Sequence, residues 1–122
     1  RSAIVLLNDY HALGKRIVYS VMRASGFELF DYGRMDVDQL VERAIADRIR
    51  VLMISVLMLP SALRVSEVCA RLRSADSGIR VLVGGAPFLF DAQLWREVGA
   101  DAMGQSASEA VTIVERWMGE MA

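Results

Sequence analysis

Four short apolar runs punctuate the chain, at residues 2–7, 27–32, 51–57 and 79–83, and the first, third and fourth are nearly continuous. Such runs suit strands buried on both faces, because in a parallel sheet covered by helices neither side of a strand meets water. Between the runs the period changes. Val37, Leu40, Val41, Ala44 and Ile45 recur at helical spacing, as do Val65, Val68, Cys69 and Leu72, and then Ala107, Ala110, Val111, Val114 and Trp117. Each set predicts an amphipathic helix with one buried face. Start signals accompany them: Asp36 with Gln39 and Ser106 with Glu109 both fit a capping box, and Asp91 stands alone before another helical stretch. Strand and helix alternate five times with short connections, so right-handed crossovers place helices on both faces of a parallel five-stranded sheet.

The predicted architecture is α/β and doubly wound, a flavodoxin-like (Rossmann-like) sheet in the order 2-1-3-4-5. Composition agrees: of 122 residues 54% are hydrophobic and 24% charged, with 9 Gly and only 2 Pro, which describes one globular domain over residues 1–122 rather than a disordered or fibrous chain. A formal net charge of -1 leaves no basic field for a nucleic-acid backbone, so this segment itself is expected to bind none. The arginines at 43, 48, 50, 64, 71 and 73 read as solvated helix faces. Cys69 falls among apolar positions and reads as a small core residue. The longest apolar run, residues 51–60, is interrupted by Ser55 and too short to cross a bilayer, and no signal peptide is evident, so a cytoplasmic protein is expected. The chain opens on Arg1 rather than Met, as an excised domain would.

In open sheets of this kind, ligands sit beyond the carboxyl ends of the strands, where strand order reverses. Three loops meet there: residues 8–15, 55–61 and 84–87. The first holds His11, the only histidine. A ligating imidazole commonly donates its second N–H to a carboxylate, and Asp9, two residues away, can receive it; Ser61 can in turn donate to Asp9, or it can serve as a helix N-cap after Pro60. One imidazole with no other imidazole or thiolate nearby does not make an ordinary zinc or copper site, so further metal ligands would have to come from a macrocycle. Gly14 would let the backbone turn tightly into the first helix, and Gly84-Gly85 would leave a bare groove for something flat, although either glycine site also fits a plain turn. Met53, Met58 and Leu59 fit an apolar ligand-facing surface, or simple core in the case of Met53.

Asp9-x-His11-x-x-Gly14, Ser55-x-Leu57 and Gly84-Gly85, in this order at the strand ends, resemble the signature of cobalamin-binding domains found in methionine synthase, corrinoid methyl carriers, base-off mutases and cobalamin-dependent regulators. The resemblance implies cobalamin as cofactor, its benzimidazole displaced and His11 in its place as the lower axial ligand of cobalt. It implies a relay of His11, Asp9 and Ser61. A slot for the nucleotide tail would be lined by Ser55, Leu57, Gly84 and Gly85, with Leu13, Gly14 and Ala86 contributing from the adjoining loops. Met103, in the loop of residues 99–104, and Ser106 would close around the tail. Two departures from methyl-transfer members, Ala12 after the histidine and Met103 in place of an aromatic residue, bear on the subfamily.

A receiver domain shares the fold but needs an aspartate at the end of the third strand, where Ser55 stands. Gly14-Lys15 is no phosphate loop, because Asp9 occupies the position of its first glycine. Within the cobalamin-binding family the resemblance leaves three roles: a methyl carrier working with partner methyltransferase subunits, a sensor or light-responsive regulator, and the small subunit of an adenosylcobalamin-dependent mutase. The first two would need a helical cap domain outside this segment.

Overall fold

The computed structural model describes residues 2–7 and 13–121. Five parallel strands, β1 (Ser2–Leu7), β2 (Leu29–Met35), β3 (Val51–Ser55), β4 (Arg80–Gly84) and β5 (Ala102–Met103), form one sheet in the order β2-β1-β3-β4-β5. The helices are α1 (Leu13–Ala24), α2 (Val37–Ala46), α3 (Leu59–Ser74), the short α4 (Ala86–Phe90) and α5 (Leu94–Glu97), and α6 (Ala107–Met121). This is the flavodoxin-like, doubly wound sheet expected from the pattern.

Strand residues alternate between two cores, as the two-residue pleat requires. On one face Ala3, Val5, Leu52, Ile54, Val81 and Val83 pack under α2, α3 and α4. On the other, Ile4, Met53 and Leu82 pack with Met22 of α1 and with Ala110, Val114 and Trp117 of α6. Cys69 belongs to the first core, where burial pushes its thiol up to about 11, well away from nucleophilic use near neutrality.

Several boundaries differ from the sequence expectation. The second strand begins at Leu29 rather than Phe27, because the end of α1 is closed by the Phe27 N–H donating to the Met22 carbonyl across Gly26, whose φ is +92°. It then runs through polar positions to Met35. That is tolerable on an edge strand paired only with β1, and an irregularity between Ile4 and Leu6 in the pairing admits one extra residue near Gly33, at φ +66°. The third strand stops at Ser55. Met58, not Ser61, is the N-cap of α3, which makes Ser61 a first-turn residue and removes its reading as the cap. Ile45 is exposed rather than buried. The capping box of Asp36 and Gln39 is complete. At α6 only half forms: Ser106 Oγ accepts the Glu109 N–H, while the Glu109 carboxylate accepts the N–H of Gln105 instead of Ser106.

Candidate functional site

Parallel register aligns residues across the sheet in rows, and two successive rows on the α1–α6 face differ sharply in size. Ile4, Met53 and Leu82 are cross-strand partners; two residues further toward the carboxyl ends, Leu6, Ser55 and Gly84 are partners in the same way. Gly104 continues that second row, its N–H donating to the Val83 carbonyl just past β5. On β3 and β4 large side chains thus give way to a hydroxymethyl and a glycine about 7 Å higher, two residues at strand rise, with Gly104 beside them, while β1 keeps a large side chain in Leu6. The result is a cavity of about 210 Å³ open at the carboxyl edge between the sheet, α1 and the start of α6.

Glycine keeps it open from several sides. A Cβ on Gly14 would point at Ser55 Oγ from 3.8 Å, one on Gly84 would lie 3.5 Å from the Gly104 carbonyl oxygen, and one on Gly104 would lie 3.5 Å from Ala110 Cβ. Gly14 sits inside α1 with no positive φ, so its role is space rather than the tight turn expected of it. Gly85 differs: φ is +118°, and a Cβ there would fall 1.8 Å from the Val56 carbonyl oxygen. Glycine at 85 is therefore demanded by the packing of the two loops, besides lining the cavity.

The structure brings Gly14, Ser55, Gly84, Gly85 and Ser106 together around this cavity. It does not bring Leu57, Ala86, Met103 or Ser61 to its lining. Leu57 is 40% exposed beyond the end of β3, where the chain has left the sheet, and Ala86 opens α4. Met103 points to the opposite core, as its one-residue offset from Gly104 requires. Ser61 is buried in the first turn of α3, also on the opposite face. Leu13 opens α1. Asp9 and His11, with Asn8, Tyr10 and Ala12, lie outside the described residues. The sequence reading missed Ile4, Val18, Leu82, Leu89, Gln105 and Ala110. For Ile4 and Leu82 the signal existed, since strand pairing in register places them beside Met53.

At its first turn, α1 is tied to the edge strand. Lys15 is buried and donates to Asp31 on β2 at 2.6 Å, and the Gly33 N–H donates to the same oxygen. Burial pushes the Asp31 carboxyl up, but the Lys15 hydrogen bond, the Gly33 N–H and the charges of Lys15 and Arg16 outweigh it and hold the group below its usual range.

Among the described residues no acid–base pair or nucleophile faces the cavity: its polar side chains are Ser55, Gln105 and Ser106. Nor does any group of three or more His, Cys, Asp and Glu side chains among them make a metal site, and no described helix is long and apolar enough to cross a membrane. The lining suits a mostly apolar group. Comparison with known proteins names it: the family model described as the B12 binding domain matches residues 3–114. The chain belongs to the B12 binding domain family. Its cofactor is accordingly cobalamin or a related corrinoid, and a cavity kept open by three glycine faces suits the insertion of part of such a group. This B12 binding domain is 36% identical over 107 residues to dimethylamine corrinoid protein 2 of Methanosarcina mazei, covering 84% of this chain and 49% of that protein. Its fold is similar to that of a cobalamin-binding protein from Desulfitobacterium hafniense, with TM-score 0.85 and 28% identity, covering 96% of this chain and 59% of the other. It is also similar to the monomethylamine corrinoid protein of Methanosarcina barkeri, with TM-score 0.82 and 29% identity, covering 93% and 56%. The chain thus spans about half the length of the curated relatives it matches.

Proposed function

We propose that this domain is the corrinoid-carrying part of a methyltransferase system, holding cobalamin base-off with His11 as the lower axial ligand. The observation that carries the reading is the step from large to small side chains along β3 and β4, Met53 to Ser55 and Leu82 to Gly84, which opens a slot at the carboxyl ends of the strands. The similarity to methylamine corrinoid proteins supports the carrier role over the sensor and mutase roles. Bound there, the corrinoid would supply the cobalt on which a methyl group is carried between partner enzymes. The chain's own part is to present one His11 ring nitrogen to the metal and hold the proton on the other through Asp9, with the Ser61 hydroxyl completing the relay. The nucleotide tail enters the slot between Gly14, Ser55, Gly84 and Ser106.

The carboxyl edge also carries exposed apolar side chains, Leu57, Met58, Leu59, Leu63 and Leu89, with Phe90 91% exposed. Apolar side chains exposed at one end of the sheet favour cover, and a helical cap domain or a partner methyltransferase subunit would provide it.

The test is to load the domain with hydroxocobalamin, reduce it to cobalt(II) and record its paramagnetic resonance with protein labelled in ¹⁵N. A hyperfine pattern that changes with protein labelling, and that disappears in His11→Ala, is expected. Splitting unaffected by the label would show that the cofactor's own base stays on the metal, and failure to retain any corrinoid would overturn the reading altogether.

A further inference from the structure

The slot is polar at its mouth and apolar at its floor. Ile4, Met53 and Leu82 are almost sealed from solvent and form the floor with Ala110, while the lining side chains able to hydrogen-bond, Ser55, Gln105 and Ser106, lie half-buried or exposed above them. The backbone beneath is already used in the β1–β3–β4 ladder and offers the floor no spare partner. A nucleotide tail has one charged end and one aromatic end. A phosphate without partners in an apolar environment is prohibitive, so the phosphate and ribose stay at the mouth and the base goes down.

We propose that this floor selects the lower base of the corrinoid, accepting a benzimidazole and rejecting a purine. The inference rests on the tail-in-slot reading above. A benzimidazole turns a hydrocarbon edge toward Ile4, Met53 and Leu82. Adenine has the same outline but adds two ring acceptors and an amino donor, and among the described residues no floor side chain can pair with them. A buried polar group left unpaired weakens binding by about tenfold or more, so the adenine-bearing cobamide should bind at least about tenfold more weakly than cobalamin.

The experiment titrates the apo domain with three corrinoids of the same upper ligand: cobalamin, its adenine-bearing counterpart, and cobinamide, which lacks the nucleotide. Cobalamin is expected to bind tightest. Equal affinities for cobalamin and the adenine cobamide, both well above cobinamide, would overturn base selection and leave the slot reading standing. Cobalamin no tighter than cobinamide would overturn the slot reading itself. Met53→Gln, which brings a donor and an acceptor to the floor, should narrow the ratio between the two nucleotide-bearing corrinoids severalfold. Val18→Thr, a near-isosteric change on the cavity wall, makes the same test if Met53→Gln fails to fold. A ratio unchanged in a folded variant would mean that floor polarity does not set the preference.

Discussion

Gly14 separates folding from binding at a single residue. Its backbone is helical, so alanine should hold or raise the stability of the apo domain, by no more than about 1 kcal/mol. The same methyl group would stand in the slot opposite Ser55 Oγ. Overfilling a packed site costs about 1–3 kcal/mol, so corrinoid affinity should fall about tenfold while the thermal midpoint does not. A midpoint and an affinity that fall together would mean that Gly14 is needed for the fold. Gly85 cannot be used this way, because any side chain there meets the Val56 carbonyl. These glycines could be found in the sequence as strand-end residues, but what each is for could not, since a packing glycine and a turn glycine are the same letter. Leu57 and Met103 fall away from the slot for a related reason. A Ser-x-Leu spacing puts both residues on one face only while the strand continues, and β3 ends at Ser55; Met103 is offset by one residue from the position that faces the slot.

At the level of elements, the anchoring of α1 on β2 is unequal in its two partners. Lys15 is 5% exposed and sits in a first helical turn, where the helix dipole opposes its charge, whereas the Asp31 side chain is 38% exposed. Asp31→Asn leaves a buried ammonium facing a neutral amide and should cost about 2 kcal/mol. Lys15→Met leaves a carboxylate that water reaches and should cost less than about 1 kcal/mol. The Asp31 carboxyl is held below 3.8 in the native state, so its ionisation favours folding at pH values above 3.8 and that contribution fades as pH falls through the lowered value. Denaturation of both variants against the wild type at pH 7 and at pH 3 should show the differences large at the first and closing at the second. Equal costs, or costs independent of pH, would show that the pair is not the anchor. This link was invisible in the sequence because it joins residues sixteen apart through an edge strand whose polar stretch does not look like a strand. Asp36 and Gln39 were legible because a capping box is local.

For the whole molecule, the alternation of strand and helix was readable from periodicity, and the layering of helices on both faces followed from the right-handed crossover; the order 2-1-3-4-5 was the doubly wound sheet these suggest. The unequal treatment of the two faces was not readable. The core under α2 and α3 is filled to the carboxyl ends, with Val56 and Phe88 closing it, whereas the core between α1 and α6 stops a row early and leaves about 210 Å³. Were that space dry, it would forgo up to about 5 kcal/mol at ~24 cal/mol per Å³, a ceiling that solvent entering the open mouth lowers. On the proposed binding of the tail in this slot, the cofactor supplies apolar contacts that this face lacks in the apo domain. At a free concentration one hundred times Kd, binding adds about 2.7 kcal/mol, which for a domain of this length raises Tm by about 10 °C. The gain should also be local. Hydrogen exchange should show new protection in α1, in the first turns of α6 and at the carboxyl ends of β1, β3 and β4, with α2 little changed. Protection spread evenly over both faces would mean that the corrinoid stabilises the fold without filling the slot.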